Sequence, residues 1–456
     1  MDIDRRTLIG GAAALPLAAT AASAATAGDY WEGIAREYDV TRAVIQLEHG
    51  NWGMMARPVL AAYRAHLERV NRDTSYYARR TMVPDLQAAQ AALASFMGVS
   101  VEEIAFTRNA TEAMKALILQ YNRLKPGDAV LYADLDYDSM QTSMESLASR
   151  RGVRVIKIAL PEPATRQSLV DAYRAAFDAN PAIKMTLLTH LSHRTGLVLP
   201  VADIATMARQ RGIDALVDAA HSVGQLDYRL PDLKADFVGI NLHKWIGAPL
   251  GVGAVYVRRE RIEAIDPDPA ESPSNRTIIA RVHTGTPDYA AQLTVPAALQ
   301  FQAAIDGARR AARLRFLRDR WVHAVRDLPQ VQVLTPDDPQ LHGAITSFRL
   351  RGRSSHDDNV ALAKELLDKH RIFTIHRDGL ASGSCVRVTP RSRRGRARLM
   401  PSLPRSVRWR SSAALASAVF RSTRPQANRW RRPAPRPSSG CGGPDPIRRP
   451  CARCRH

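Results

Sequence analysis

Lys244 stands in the run Asn241-Leu242-His243-Lys244-Trp245, between apolar residues and ahead of the glycine-rich stretch 247–253. A lysine held among apolar neighbours loses hydration. Its pKa then falls, and the neutral amine becomes a good nucleophile toward an aldehyde. A lysine that snorkels to the surface is the plainer alternative. Upstream, Val217-Asp218-Ala219-Ala220-His221 sets a carboxylate at the end of an apolar run. Such a buried acid needs a cationic partner, either a structural base or the protonated ring nitrogen of a bound group. Earlier still, Phe106-Thr107-Arg108-Asn109-Ala110-Thr111-Glu112 passes through a short polar turn into a helical pattern. The free amides of a helix start attract an anion such as a phosphate, though alone the pattern describes an ordinary helix cap equally well.

These residues must be positioned by the elements around them. Short apolar runs alternate with helical patterns through the body of the chain, the signature of parallel strands joined by crossover helices. Seven strands are predicted, at residues 104–106, 129–133, 153–158, 185–190, 215–218, 237–242 and 252–257. Helices are predicted between most of them, for example at 85–97, 112–121, 139–150 and 201–211. An open sheet of this kind binds its ligand beyond the C-terminal ends of the strands, and all three motifs fall there. Past residue 300 a basic helix at 307–328 leads into strands near 344–350, 373–377 and 385–389 and a helix at 359–369, a second and smaller α+β unit. No internal repeat is present.

Taken in this order, the motifs resemble the class V aminotransferase family, the fold type I enzymes that use pyridoxal 5′-phosphate (PLP), over residues 35–390. The resemblance implies an α/β fold of PLP fold type I. A mainly parallel seven-stranded sheet would form the large domain, with a smaller α+β C-terminal domain after it. It implies Lys244 as the Schiff-base lysine, Asp218 paired with the pyridine nitrogen, and His221 beside the ring hydroxyl. Ala110, Thr111 and His243 would bind the phosphate, and Tyr137 would stack on the ring. Gly285 and Thr286 match a segment that reaches the phosphate of the neighbouring subunit's cofactor, which implies a homodimer. Arg387, in Cys385-Val386-Arg387-Val388-Thr389, matches the arginine that clamps the substrate's α-carboxylate with two parallel hydrogen bonds. His49-Gly50-Asn51-Trp52-Gly53 resembles the His-Gly-x-aromatic-Gly loop of the isopenicillin N epimerase-like branch and puts Asn51 at the substrate. One departure stands out. The family carries Ser-Asn next to the ring hydroxyl where this chain reads Ser192-His193, so His193 is expected to supply that hydrogen bond.

Composition divides the chain. Of its 456 residues 45% are hydrophobic, enough for a large core, and the formal charge is +21. Residues 391–456 hold 18 arginines, no lysine and a single acid, Asp445, and so account for most of that excess. The body is left with an ordinary surface charge. The segment also holds nine prolines and no apolar period, so it is expected to be disordered. A frame shift after Pro390 is the expected origin; resequencing the DNA around that codon tests it, and an intact frame excludes it. At the other end, Arg5-Arg6 followed by the uncharged run 10–27 resembles a twin-arginine export signal, with Ala22-Ser23-Ala24 as a small-x-small cleavage site. The expected organisation is thus signal 1–27, an N-terminal segment with the large domain at 28–300, small domain 301–390 and tail 391–456. An exported enzyme that folds around its cofactor in the cytoplasm is expected, with no stable membrane span. Cys451 and Cys454 lack a second pair at zinc-site spacing, so no metal is expected.

The expected reaction is PLP chemistry at the α-carbon of an amino acid or amino-acid-like amine, of aminotransferase or epimerase type. A cysteine desulfurase or lyase is the alternative within the family. The loop 379–384 has no cysteine, and Cys385 lies two residues from Arg387 on a strand, which favours a structural thiol. Outside the family, the alternatives are a nucleic-acid-binding protein acting through the arginine-rich tail, or an inactive relic. No nucleic-acid partner is expected, since the tail alone supplies the charge.

Overall fold

The runs Ala129–Ala133 and Phe237–Asn241 are buried at every position. Strands read this way when helices cover both faces of their sheet. The computed structural model describes residues 27–391. Its seven large-domain strands are β1 (Ile104–Thr107), β2 (Ala129–Ala133), β3 (Arg154–Ile158), β4 (Ile183–Thr189), β5 (Asp214–Asp218), β6 (Phe237–Asn241) and β7 (Gly253–Val257). They form one sheet in the order β1-β7-β6-β5-β4-β2-β3. Strands β6, β5, β4, β2 and β3 pair in parallel, and β7 runs antiparallel to both its neighbours. β1 therefore points the same way as the parallel five. The architecture is the α/β, mainly parallel seven-stranded sheet of fold type I, with strand ends within two residues of those predicted.

Alternation along each strand feeds two apolar layers. Val130 and Tyr132 face the helices Ala110–Leu119 and Asp138–Arg151 through Met114, Leu117, Met140 and Met144. Leu131 and Ala133 belong to the opposite layer, with Leu93, Leu169, Ile204 and Val295 of four further helices. Each leucine fully buried here contributes about 1.5–3 kcal/mol. The sheet is accordingly a rigid platform for whatever its strand ends carry.

The smaller unit holds a sheet of β8 (Val331–Val333), β9 (Thr346–Leu350), β10 (Ile375–Arg377) and β11 (Cys385–Val388), antiparallel in the order β10-β11-β9-β8. Trp321 and Val322 of the helix Gly307–Val325 and Leu362 and Leu366 of the helix His356–His370 pack on Phe348, Val386 and Val388. Three details differ from the expected organisation. The run 373–377 is not one strand, because Ile372–Phe373 pairs in parallel with Ile45–Gln46 before β10 begins. The N-terminal segment, placed with the large domain in 28–300, crosses over instead. Ile45 and Leu47 pack against the small-domain core, and the Leu47 carbonyl accepts the Thr389 amide at 2.7 Å. Finally, Arg391, the first residue of the segment set apart by composition, is buried. The rest of that segment lies outside the described residues, as does the expected export signal except for Ala27, which starts the helix Ala27–Arg36. Among the described residues no helix is long and apolar enough to cross a membrane.

Candidate active site

Parallel strands place their C-terminal ends on one edge of the sheet, and a cavity of about 650 Å³ opens there. Asp218 closes β5 and Asn241 closes β6, while β1 leads to the helix that starts at Ala110. Asn51, Ala110, Thr111, Tyr137, His193, Asp218, His221, His243, Lys244 and Arg387 all line this cavity. Gly285 and Thr286 do not. They lie exposed on the loop before the helix Tyr289–Ile305, outside the cavity that this chain forms.

Burial sets the electrostatics. Desolvation lowers the Lys244 pKa to about 8, against the pull of Asp218, while Arg387 and Arg377 lower it further. Asp218 is raised above the ordinary carboxylate range by burial, opposed by the Ala220 amide, which donates to Oδ1 at 2.9 Å, and by the Lys244 charge. His221 Nε2 is 3.0 Å from Lys244 Nζ, and its Nδ1 accepts from the Trp245 indole N–H at 3.3 Å. Burial and the nearby cations push the His221 pKa well below its ordinary value, so the ring is neutral. An indole nitrogen only donates, which fixes the tautomer. Nε2 carries the proton and gives it to the lone pair of an uncharged Lys244. His221 and Trp245 thus favour the nucleophilic form of the lysine.

The first turn of the helix Ala110–Leu119 is partly satisfied from within. Asn241 Oδ1 accepts the Ala110 amide at 2.8 Å, and Asn109 Oδ1 accepts the Glu112 amide at 2.8 Å. Thr111 is left as the first-turn donor for an anion, a narrower contribution than the pair Ala110 and Thr111 expected from the motif. His243 Nδ1 lies 3.0 Å from the Val252 carbonyl, and burial lowers its pKa to about 4. Its Nε2 therefore presents a lone pair unless an approaching anion draws a proton onto it. Tyr137 sits on the rim, edge-on to His193 at 5.1 Å, and His193 lies nearly parallel to His221 at 6.5 Å. Burial pushes His193 down to about 3 although Asp138 stands 3.8 Å from Nε2.

The loop with His49-Gly50-Asn51-Trp52-Gly53 acquires a physical reason. Gly53 donates its amide to the His243 carbonyl at 2.7 Å, and a Cβ there would lie 1.7 Å from the Lys244 carbonyl oxygen. A Cβ on Gly50 would lie 2.7 Å from the Arg387 guanidinium. At Gly53, where the neighbour is backbone, only glycine permits the approach; at Gly50 a Cβ would push the guanidinium aside. Behind the lysine, Arg391 donates to the Lys244 and Trp245 carbonyls at 3.2 and 3.3 Å. We expect Gly53→Ala to cost about 3 kcal/mol of stability, since the collision is with backbone in a close-packed site. Urea unfolding measures this, and an unchanged midpoint contradicts the packing.

Sequence reasoning did not reach Glu48, Trp245, Asn241, Arg377 or Arg391 as site residues. Glu48 grips one edge of the Arg387 guanidinium, with Nη2 in a short contact to Oε1 and Nε 3.3 Å from Oε2, and Arg387 Nη1 donates to the His193 carbonyl at 2.7 Å. The partners are 339 positions apart, so no local pattern announces the pair. Trp245 and Asn241 were within reach, since both flank Lys244 in sequence.

Residues 55–371 match the family model described as aminotransferase class-V. The chain belongs to the class-V aminotransferase family. It is 29% identical over 363 residues to isopenicillin N epimerase of Streptomyces clavuligerus, covering 75% of this chain and 89% of that protein. It is 28% identical over 299 residues to putative L-cysteine desulfhydrase 1 of Oryza sativa subsp. japonica, covering 60% of each. In fold it is similar to an apo cysteine desulfurase from Thermococcus onnurineus NA1, with TM-score 0.69 and 19% identity over 86% of this chain and 96% of that one.

Pyridoxal 5′-phosphate is the cofactor of this class-V chain, and the donor set fits it. A half-buried lysine of lowered pKa suits an aldehyde, a buried carboxylate at a strand end suits a pyridine nitrogen, and a helix start suits a phosphate. Trp245 gives a test of the tautomer. In Trp245→Phe the His221 ring is free to turn its Nε2 lone pair toward Lys244 and favour the ammonium form. The midpoint pH for covalent cofactor capture should then rise by up to about one unit. Absorbance-detected capture rates across pH measure this, and an unmoved midpoint excludes the role given to the indole.

Proposed function

We propose that this class-V chain acts on the α-carbon of an amino acid or amino-acid-like amine, as an aminotransferase or epimerase, with Lys244 as the attachment and proton-transfer residue. The single observation that carries the proposal is the Lys244 amine: half-buried on the cavity wall, lowered to about 8, and held 3.0 Å from a neutral His221. PLP, when bound, accepts the electron pair left as a bond to the α-carbon breaks. The protein does the rest. Lys244 takes and returns the α-proton, His221 holds its amine unprotonated and aimed, and Asp218 supplies a fixed negative charge at the strand end. Thr111 and the helix start hold an anion, and the apolar layers beneath exclude water. The likeness to isopenicillin N epimerase over 89% of that protein, and the His49-to-Gly53 loop packed against Lys244, support an epimerase-like setting. A homodimer completed through Gly285 and Thr286 is part of the same proposal, and export is proposed from the N-terminal motif.

A second proposal has its own support. Relatives named L-cysteine desulfhydrase favour a lyase that eliminates from the β-carbon. A desulfurase requires a nucleophilic thiol. Among the described residues the one cysteine is Cys385, buried on β11 with its thiol pushed up to about 12 by burial, and it is absent from the cavity wall. The desulfhydrase form of the alternative, which uses no protein thiol, is therefore the one retained. Incubating the cofactor-loaded protein with single amino acids in deuterated water separates these outcomes. Exchange of the α-proton establishes the site of action; a D-amino acid, a new amino acid formed from an added 2-oxo acid, or sulfide then names the reaction. A loaded protein that exchanges no α-proton on any amino acid overturns the proposal.

A further inference from the structure

His356, His376 and Asp378 meet on the small domain with their ligand-capable atoms all within 4.8 Å of one another. His376 and Asp378 also line the cavity. His376 is the middle residue of β10, Asp378 follows that strand, and His356 opens the helix His356–His370 that packs on the same sheet. Asp378 Oδ2 lies 3.0 Å from His356 Nδ1 and 3.5 Å from His376 Nε2. The two imidazoles stand nearly perpendicular, with centroids 4.9 Å apart. Both histidines sit on fixed backbone: His376 is in register with Val386 of β11, and Ser355 caps the helix by accepting the Asp358 amide at 3.2 Å.

Zinc–ligand bonds of about 2.0–2.2 Å set neighbouring donors of a tetrahedral ion roughly 3.3–3.6 Å apart. The separations around Asp378 are close to that edge, and the His356 side chain, 59% exposed, has room to turn and close the set. Two imidazole nitrogens and a carboxylate suit a borderline cation such as Zn²⁺, whereas Ca²⁺ and Mg²⁺ take oxygen donors. Arg377, between two of the ligands in sequence, carries a repelling charge, but it reaches toward Glu48, whose Oε1 is 3.9 Å from Nη2. A second group of the same kind, Asp319, His323 and Asp337, is different. Arg318 Nη1 holds Asp319 at 2.9 Å and Asp337 at 2.7 Å, and Arg326 makes a short contact to Asp337, so a cation there would have to displace two guanidinium groups.

We propose that His356 Nδ1, His376 Nε2 and Asp378 Oδ2 bind a divalent cation of the zinc class at the edge of the cavity. Three protein ligands with a further position open is the pattern of zinc sites that accept another ligand, in contrast to closed structural ones. That position admits water or a donor atom of a molecule in the cavity. The cysteines near the end of the chain gave no metal pattern, whereas these histidines come together only through the packing of a helix on the small sheet.

The test is calorimetric titration of zinc chloride into the full chain, with the cofactor fixed by borohydride so that none is released to chelate the ion. The double variant Cys451→Ser/Cys454→Ser serves as the parent, because those two thiols are competing zinc donors. The parent should take up one Zn²⁺ per chain at this site. H376A should weaken that uptake about 100-fold or more, since losing a ligand costs at least as much as losing a group that only orients one. H356A, at an exposed position, should weaken it roughly tenfold or more, and it keeps the test open should H376A fail to fold. H323A should leave it unchanged. A parent that takes up no zinc overturns the proposal, as does equal affinity in the parent, H356A and H376A. Loss of uptake in H323A alone also overturns it, because the ion then sits at the other group. None of these readings depends on turnover, so failure here is distinct from failure of the proposed reaction.

Discussion

Replacing Lys244 with alanine should abolish the visible absorption of the loaded protein and lower turnover by about 10,000-fold, the upper range for loss of a positioned general base. Wild-type protein should show a band at roughly 410–430 nm, the region in which lysine-attached PLP absorbs, and borohydride should fix the cofactor to the chain. The wild type's pH behaviour follows from the site. Only the neutral amine attacks an aldehyde, and Lys244 loses its proton near pH 8 rather than at its ordinary 10.5. Covalent capture should therefore speed up as pH rises through about 8 and level off above it. A Lys244→Ala protein that keeps both the band and its activity would remove this lysine from the chemistry. A wild type that stays colourless with added PLP would mean that the site is assembled but does not work.

Asp218→Asn should leave the cofactor attached and lower kcat about 100-fold or more, because an uncharged amide of the same shape cannot hold a proton on the pyridine nitrogen. The substitution also has a signed effect on the lysine. Asp218 raises the Lys244 pKa against the desolvation that lowers it. Removing that negative charge lets desolvation act with less opposition, so the midpoint for cofactor capture should move below about pH 8. Absorbance-detected capture across pH, together with the rate of α-proton exchange in deuterated water, reads both effects. A midpoint that moves upward would mean that Asp218 is not the counter-charge of Lys244. The opposite shifts expected for Asp218→Asn and Trp245→Phe separate the influence of charge from that of hydrogen bonding at one amine.

Residues 237–244 are legible in the sequence alone. The buried run of β6, the polar residue that ends it and the lysine just beyond are all local features, and local features carry their own signals: hydrophobic period, strand length and turn chemistry. The same holds for β5 ending at Asp218 and for the helix start at Ala110. Where neighbours in space are far apart in sequence, the signal disappears. The switch at Thr374, where one apparent strand becomes two, exists only because Ile45–Gln46 arrives to pair with Ile372–Phe373. Arg391 reads as the first residue of an arginine-rich tail, yet its guanidinium is inside, on the carbonyls of Lys244 and Trp245.

The sequence by itself determined the family's sheet, its helical covers, and which residues meet at the strand ends, because periodicity and the order of strands constrain those strongly. The tertiary structure alone decided the charge state and partners of the site. Lys244 is lowered by burial and by the charges of Arg387 and Arg377, its amine meets a His221 that Trp245 holds in one tautomer, and Arg387 is tied to Glu48. Ionisation and pairing depend on desolvation and on distances of a few ångströms between residues hundreds of positions apart, and such distances are set only when the two domains close on the N-terminal loop.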